Sequence, residues 1–354
     1  MNDQPPLTDP ADSGPGLERA IPTSRDVAKL AGVSQSSVCR VFDKKWADKI
    51  SPKLEKRVRE AAQALGYSPN ALARGLTAQR SGIVGLVISE DFNDFYYDIM
   101  RRMTNELQML GIRVMLFNAS PHRNIDHVIR QLQEYRVDGI LFTAASLSSK
   151  VSPLQCEVPL VLVNVYTDTP FCSSVICDNF GGSKEMASYL YECGGRDFLY
   201  VSAENSRYYD VSDRKSGFLA GLREKGITEC RIERGDYSYE SGKEIGRRLF
   251  CGSKRPDTIF SCGSRMAFGI MDVARYEFGI RIPEDLSVAG YDDLVMTDLD
   301  AYGLTCVQQP SQALAKTAVR LLFAELSQEH TGIETIHEPA SLKIRTSVRR
   351  KPIL

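Results

Sequence analysis

The chain has 354 residues, 43% of them hydrophobic and 25% charged, an ordinary composition for a globular protein of two or three domains. Its charge is unevenly distributed. Residues 24–80 carry twelve Lys and Arg against five Asp and Glu, a net charge of +7, which leaves −8 for the rest of the chain. A basic segment joined to an acidic remainder indicates that the segment contacts nucleic acid. A solvated charged surface is the alternative.

Cysteine usage and missing motifs exclude several protein classes. Nine cysteines without a C-x-x-C pair predict thiols in a reducing cytoplasm rather than a disulfide framework. The four histidines have no zinc-type spacing to the cysteines, so we expect no metal site. No apolar run reaches the roughly 18 residues of a membrane span. No Walker loop, G-x-G-x-x-G fingerprint or nucleophile elbow indicates an enzyme, and no cofactor is predicted.

The N-terminal 22 residues carry five prolines and no apolar run, which predicts a disordered tail without a signal peptide. Two short helices are predicted next. Ser24 is expected to cap the first helix, Gly32 to end it, and Ser34 to cap the second, which runs to about Phe42. Small and apolar residues are expected to hold the helices together: Val27, Ala28, Ala31, Val33, Val38 and Val41. This spacing is typical of a helix-turn-helix motif.

The second helix is predicted to present a polar face to solvent. With its valines turned inward, the residues that face outward are Gln35, Ser36, Cys39 and Arg40. The second helix of such a motif enters the major groove, where Gln pairs with adenine and Arg with guanine. Ser36 and Ser37 can reach a base edge or a phosphate. A helical hairpin with a solvated polar face is the alternative.

A third helix is predicted over residues 51–65, begun by Ser51-Pro52 and ended by Gly66. The segment YSPNALARGL (67–76) follows it. Together with the earlier motifs DVAKLAGVS and RV, this segment carries a resemblance of residues 23–76 to the lac repressor family of bacterial transcription regulators.

The resemblance implies a hinge helix in the segment 67–76, which orders in the DNA minor groove beside its dimer mate. Leu76 stands at the position of the family's leucine, an apolar wedge between base pairs. The resemblance also implies DNA contacts for Ser24, Asn70 and Ala73. NALARG is too short to be a stable isolated helix, which agrees with ordering on DNA. An ordinary linker is the alternative.

Two features of this region depart from the family pattern. Cys39 replaces a serine, and a thiol is a weaker hydrogen-bond donor than a hydroxyl. The connecting loop at residues 44–50 is longer than usual and contains Trp46, the only tryptophan of the chain. Trp46 is expected to anchor the loop by packing, with a DNA contact as the alternative.

From Gly82 onward, buried strands alternate with helices. Strands are predicted at residues 83–88, 113–117, 139–143, 159–165, 198–202, 258–262 and 286–291, and helices at about 95–110, 124–135, 181–193, 213–225, 241–251 and 265–278. The predicted fold class is α/β: an all-α helix-turn-helix domain followed by a doubly wound domain of two lobes. The body motifs DNFGG, RIPEDLSVAGYDD and CVQQP extend the resemblance, which implies a lobe pair like that of periplasmic sugar-binding proteins.

Ligands of doubly wound sheets lie beyond the carboxyl ends of the strands. Phe95, Tyr96, Asn164 and Asp292 follow predicted strands, and Arg214 is expected in the first turn of a helix, where it would oppose the helix dipole. The resemblance implies that the aromatic pair, the Arg and the Asp clamp an effector. Their chemistry suits a sugar or a nucleobase. The alternatives are core packing for Tyr96, an ion pair for Arg214 and a loop cap for Asp292.

The predicted effector site also departs from the family pattern. Gly263-Ser264 replaces a usual Asn-Asp pair, which removes an amide and a carboxylate. Asp94 replaces a usual proline before the aromatic pair, and a turn residue is favoured there over an additional ligand contact.

These patterns predict a cytoplasmic, sequence-specific transcription regulator, a repressor whose affinity for double-stranded operator DNA a sugar-like effector controls. The predicted domains are a tail (1–22), a DNA-binding domain (23–67), a hinge and linker (68–80), and an effector-binding and dimerisation domain (81–354). A homodimer is favoured over a tetramer because no heptad run follows Leu326. A sugar-binding receptor without a DNA role is the alternative.

Overall fold

The computed structural model describes residues 22–43, 46, 49–68, 80–89, 94–119, 125–143, 156–165, 171–203, 209–328 and 332–350. The chain divides into two compact units, Met1–Gln79, called the head, and Arg80–Leu354, called the body. Residues 1–21 of the predicted tail and residues 69–79 of the predicted hinge and linker, with Asn70, Ala73 and Leu76, lie outside the described residues.

The described part of the head contains three helices, α1 (Ser24–Ala31), α2 (Gln35–Val41) and α3 (Pro52–Leu65). The prediction that Ser24 caps α1 is wrong. The cap is Thr23, whose backbone N–H and hydroxyl donate to the Asp26 carboxylate at 2.8 and 2.7 Å. Both residue types are good caps, so composition alone could not choose between them.

The turn between α1 and α2 matches the prediction. Gly32 ends α1 with a φ of 60°, a left-handed conformation that glycine adopts without steric cost. The Ser34 hydroxyl accepts a hydrogen bond from the Ser37 N–H at 3.2 Å and so caps α2. The buried core of the head consists of Val27, Ala28, Ala31, Val38, Val41, Val58, Ala61 and Ala62.

The described strands of the body form two six-stranded sheets, one in each of two lobes. The N-lobe sheet contains β1 (Ile83–Ser89), β2 (Arg113–Ala119), β3 (Gly139–Phe142), β4 (Leu160–Val163), β5 (Ser174–Asp178) and β11 (Thr335–Pro339), in the order β11-β5-β4-β3-β1-β2. The C-lobe sheet contains β6 (Phe198–Ala203), β7 (Arg231–Gly235), β8 (Thr258–Ser261), β9 (Ser287–Tyr291), β10 (Thr305–Gln308) and β12 (Ser341–Lys343), in the order β12-β10-β9-β8-β6-β7. Neighbouring strands are parallel, except that β12 runs antiparallel to β10.

Helices cover the sheets of both lobes. Those of the N-lobe are α4 (Asp94–Met109), α5 (Ile125–Glu134) and α10 (Ser311–Leu326). Those of the C-lobe are α6 (Asn179–Glu192), α7 (Tyr209–Glu224), α8 (Tyr239–Cys251) and α9 (Ser264–Asp272), the last of which continues as a π-helical turn over Val273–Glu277. The two-lobed, doubly wound prediction is therefore confirmed. Helix α10 and five strands, β5, β7, β10, β11 and β12, were not predicted from the sequence.

The chain crosses between the lobes at three places. The first crossing joins β5 to α6 at residues 178–179, the second joins β10 to α10 at residues 308–311, and the third joins β11 to β12 at residues 339–341. Neither lobe is therefore a continuous stretch of sequence, and a change in the angle between the lobes must be absorbed at these crossings.

Helices α6 and α7 approach each other closely because glycines stand where they cross. A Cβ atom added to Gly217 would lie 2.2 Å from the backbone oxygen of Phe180, and one added to Gly221 would lie 2.6 Å from that of Lys184. The obstructing atoms belong to backbone, which cannot rotate away as the end of a side chain can. The close contact between α6 and α7 thus depends on the absence of a side chain at Gly217 and Gly221.

We expect Gly217→Ala to destabilise the body by about 1–3 kcal/mol, because α6 and α7 must separate to admit the methyl group. The matched control is Gly252→Ala at the end of α8, where an added Cβ finds its nearest neighbour at an ordinary 3.4 Å. Thermal unfolding followed by circular dichroism should show a lower midpoint for Gly217→Ala only. Equal midpoints for the two variants would contradict this account of the helix crossing.

Candidate nucleic-acid interface and ligand site

Helix α2 presents the polar face that the sequence predicts. Val38 and Val41 are buried in the head core, whereas Gln35, Ser36 and Arg40 are exposed and Ser37 is half-buried. Two predicted DNA-contacting residues from different helices meet at this face. The Gln35 amide donates to the hydroxyl of half-buried Ser24 at 3.0 Å. The face thus groups an amide, hydroxyls and a guanidinium, which are donors and acceptors of the kind that read base edges.

Two departures from the family pattern lie on or beside this face. Cys39 is exposed between Val38 and Arg40. Trp46 is 37% exposed and lies outside the head core. The guanidinium carbon of Arg40 is 4.9 Å from the centroid of the indole ring, and the ammonium of Lys49 is 5.5 Å from it. The ring therefore contacts two cations instead of packing into the core.

The nine cysteines, all of which the structure describes, are free thiols. Several act as small buried core residues: Cys177, Cys193, Cys262 and Cys306. Burial raises the pKa of the Cys177 thiol to about 12, so this side chain is a neutral thiol at physiological pH.

In the body, a hydrogen-bonded chain of side chains joins the two lobes beside their crossings. Asn164 follows β4 of the N-lobe, Asp292 follows β9 of the C-lobe, and Gln309 stands at the second crossing. The Asn164 amide donates to the Gln309 side-chain oxygen at 3.1 Å, and the Gln309 amide donates to the Asp292 carboxylate at 2.6 Å. All three side chains are buried. We call this chain the lobe bridge.

The two ends of the lobe bridge have unusual backbone conformations. Asn164 has a φ of 55° and Asp292 a φ of 76°, in the left-handed region that Asn and Asp tolerate better than most residues. The Asn164 side-chain oxygen accepts the backbone N–H of Cys177 at 3.2 Å. The Ser264 hydroxyl lies 2.6 Å from the Asp292 carbonyl oxygen and 2.8 Å from that of Tyr291. Surrounding hydrogen bonds thus hold both ends in place.

Arg214 lies in the second turn of α7, because that helix begins at Tyr209. The prediction of a first-turn position is wrong, and the argument from the helix dipole does not apply. The side chain is 2% exposed. Its guanidinium donates to the Asn179 side chain and the Cys262 carbonyl, each at 2.9 Å, and lies 3.9 Å from the Asp292 carboxylate. It also lies over the ring of Tyr291, at 3.8 Å from the centroid.

The structure therefore brings together three of the five predicted effector residues, Asn164, Arg214 and Asp292. Burial in the same region raises the pKa of Tyr291 far above its usual value, so its phenol stays protonated. The predicted aromatic pair stands at the start of α4. Phe95 is buried in the N-lobe core and Tyr96 is half-buried, with ring centroids 5.2 Å apart and edge to face.

The structure explains both departures at the predicted effector site. An added Cβ at Gly263 would lie 2.8 Å from the ring of Tyr237, so that ring occupies the space beside residue 263. Tyr237 follows β7 with a φ of 71°. Asp94 is the first residue of α4 in the N-lobe, and its carboxylate pairs at 3.5 Å with Arg265 on α9 of the C-lobe. Neither Tyr237 nor Gln309 was predicted as a site residue from the sequence, although Gln309 belongs to the motif CVQQP.

Within the part of the chain that the structure describes, no cluster of three His, Cys, Asp or Glu side chains could hold a metal ion. The same part of the chain contains no helix with the length and apolar character needed to span a bilayer.

We expect Gln309→Ala to lower the stability of the body by about 1–3 kcal/mol, because it leaves the buried Asn164 amide and Asp292 carboxylate each short of a partner. Gln308→Ala is the matched control. Gln308 donates to Asp293, which keeps Arg345 at 2.8 Å and the Thr297 hydroxyl at 2.7 Å as further partners. Denaturant unfolding of both variants should show the larger loss for Gln309→Ala. A Gln308→Ala loss as large as that of Gln309→Ala would argue against the lobe bridge.

Known protein families match both units. Residues 23–70 match the model described as bacterial regulatory proteins, lacI family, and residues 187–348 match a periplasmic binding protein-like domain. The HTH-type transcriptional repressor PurR of Yersinia enterocolitica is 30% identical over 339 residues, which are 93% of this chain and 98% of that protein. That relative is a transcriptional repressor, and the matched lacI family consists of regulatory proteins. This similarity confirms the prediction that the chain is not an enzyme.

Solved structures agree in fold. The lac repressor dimer bound to operator and the anti-inducer ONPF superposes with a TM-score of 0.82 at 24% identity, covering 93% of this chain and 99% of that one. The transcriptional regulator CelR in complex with cellobiose has a TM-score of 0.67 at 27% identity, covering 92% and 99%. The resemblance that the motifs suggested is confirmed: the chain belongs to the lacI family of bacterial regulatory proteins and is a DNA-binding transcriptional regulator.

Proposed function

We propose that this protein is a cytoplasmic repressor that reads operator DNA with the exposed face of α2 and is controlled by a small molecule bound between the lobes of its body. The observation that carries the proposal is the outward face of Gln35, Ser36 and Arg40 on a segment of net charge +7. Lys and Arg contacts to phosphate supply affinity for any duplex, whereas contacts to base edges supply specificity.

In this proposal, the bases are read by Gln35 and Arg40, which pair bidentately with adenine and guanine respectively. Ser24 holds the Gln35 side chain by the hydrogen bond between them, so its contribution to DNA binding is partly indirect. Ser36 and Ser37 share the Ser34 hydroxyl at 2.8 Å each, an arrangement that places three hydroxyls at the start of α2, where backbone N–H groups also favour a phosphate. Asn70, Ala73 and Leu76 keep their proposed minor-groove role.

A homodimer supplies the second α2 that a two-fold symmetric operator needs. Exposed apolar side chains of the body offer surfaces for the second copy. In the N-lobe these are Met109, Leu110 and Leu116, at the end of α4 and on the edge strand β2, and in the C-lobe they are Tyr276, Val295 and Leu299. The solved lac repressor relative is likewise a dimer on its operator.

We expect Arg40→Ala to lower operator affinity by about 1–3 kcal/mol, and to do so by losing discrimination at one base pair. The operator is first selected from random duplexes with the full-length protein, and electrophoretic mobility shifts then compare duplexes with single base-pair changes. The shifted complex should contain two chains. Uniform weakening on every duplex would contradict base reading by Arg40, and the absence of a sequence-specific shift by the wild type would overturn the proposed function.

The proposed effector site lies at the lobe bridge. It combines a guanidinium, a carboxylate and two amides with aromatic rings nearby, and such a set binds hydroxyl-rich rings or the edges of nucleobases. Because Arg214, Asn164 and Asp292 are already bonded to protein groups, an effector must exchange these bonds for its own. That exchange couples ligand binding to the angle between the lobes, and thus to the populations of operator-competent and released states. The cellobiose complex of the CelR relative favours a sugar.

We expect one class among sugars, sugar phosphates and nucleobases to raise the free energy of unfolding by about 2.7 kcal/mol at a hundredfold excess over Kd, and so to raise the thermal midpoint of the protein. Asp292→Asn should lose this stabilisation. The unliganded midpoint of the variant should be lower than that of the wild type, because the substitution removes the carboxylate charge 3.9 Å from buried Arg214. The ligand-induced shift is therefore measured from the unliganded midpoint of each protein. An equal ligand-induced shift in wild type and variant would place the effector elsewhere.

A further inference from the structure

Trp46 and Arg40 form a contact in the head that the proposed base reading does not itself explain. We propose that Trp46 is a specificity-determining positioning residue, which holds the Arg40 guanidinium in the orientation that reads a guanine. This inference rests on the proposed function, because it assigns a role to Trp46 only if Arg40 contacts a base.

The contact distinguishes Arg40 from neighbouring cations of the head. Arg57 donates to the Gly32 carbonyl at 3.3 Å, and Arg59 donates to the Glu55 carboxylate at 2.8 Å. Both guanidinium groups thus use their N–H groups within the protein. Within the described part of the chain, the Arg40 side chain makes no hydrogen bond or ion pair, and its guanidinium carbon lies 4.9 Å from the Trp46 centroid. A ring, and not an oxygen atom, holds this side chain.

Holding an arginine by a ring leaves its hydrogen-bonding edge available. The attraction between a cation and an indole acts through the face of the guanidinium, whereas recognition of guanine O6 and N7 uses N–H groups in its plane. Stacking and base reading therefore do not compete for the same atoms. An arginine restrained in this way loses less side-chain entropy when it meets its base, so its discrimination is stronger than that of an unsupported arginine.

The position of Trp46 at the edge of the head suits this role. It is 37% exposed, its ring is absent from the head core, and it lies in the connecting loop that the sequence analysis found to be long. The Lys49 ammonium, 5.5 Å from the same ring, adds positive charge beside Arg40. Lys49 favours binding to a phosphate of any sequence, whereas the Arg40 edge selects a base.

The first experiment tests the contact without DNA. Because Trp46 is the only tryptophan, fluorescence under tryptophan-selective excitation reports on its surroundings alone. Arg40→Ala should shift the emission of the full-length protein. Arg59→Ala is the matched control and should leave the emission unchanged, because Arg59 lies over Phe42, at 5.6 Å from that ring. Unchanged emission in Arg40→Ala would overturn the inference at this stage.

The second experiment measures base discrimination on the selected operator and its single-base variants. Trp46→Leu should lower the preference for the Arg40-dependent base pair about two- to fivefold, while Trp46→Phe, which keeps a ring, retains most of that preference. In the Arg40→Ala background, Trp46→Leu should cause no further loss at that base pair, since the two residues act as one unit. Lys49→Gln should weaken binding to all duplexes alike. Far-ultraviolet circular dichroism confirms that each head is folded.

The outcomes separate this inference from the proposed function. If Arg40→Ala loses base discrimination but Trp46→Leu weakens all duplexes equally, or adds its own loss in the Arg40→Ala background, Trp46 does not position Arg40 and only the inference fails. If neither variant changes discrimination at any base pair, base reading by Arg40 fails and the inference fails with it.

Discussion

The three crossings between the lobes, and the buried hydrogen bonds beside them, are the constraint on which the body depends. Each lobe collects strands from distant parts of the sequence, so neither can form its sheet without chain supplied through the crossings. The lobe bridge places an amide, a second amide and a carboxylate at this point, with each polar group satisfied. Left-handed backbone at Asn164 and Asp292 persists there because the surrounding hydrogen bonds hold it. The proposed effector site and the crossings that would absorb a change in lobe angle therefore lie at the same place.

The head, in contrast, is stabilised by a small hydrophobic core. Among the described residues, the fully buried side chains of its core are all Val or Ala, which lets the three helices pack closely, and larger side chains such as Phe42 and Leu54 pack against them. Packing then decides the chemistry of the surface, because burial of Val38 and Val41 leaves the remaining residues of α2 to face outward. A head packed in this way tolerates changes on the polar face of α2, so DNA recognition can change while the packing of the helices stays the same. The loop that carries Trp46, which is longer than the family pattern, is a departure of this kind.

The sequence predicted those parts of the structure in which local patterns decide the outcome. Buried β-branched runs such as Ile83–Ser89 and the glycine-punctuated helices of the head were found within one or two residues. Features decided by tertiary context were missed or misplaced. Thr23 and Ser24 are equivalent caps by type, the start of α7 lies before any clear capping residue, and β12 has only three residues. Likewise, nothing local in CVQQP indicates that Gln309 joins two residues more than a hundred positions apart from each other.

The last strands of the body have a consequence for how the protein is made. Residues 335–343 add an outer strand to both sheets at once, β11 beside β5 and β12 beside β10. On the ribosome, the head emerges before the body, and domains fold as units in order of synthesis. Both lobes, in contrast, wait for a segment near the carboxyl end before either sheet is complete. A nascent chain therefore carries a complete DNA-binding head well before it carries a complete body.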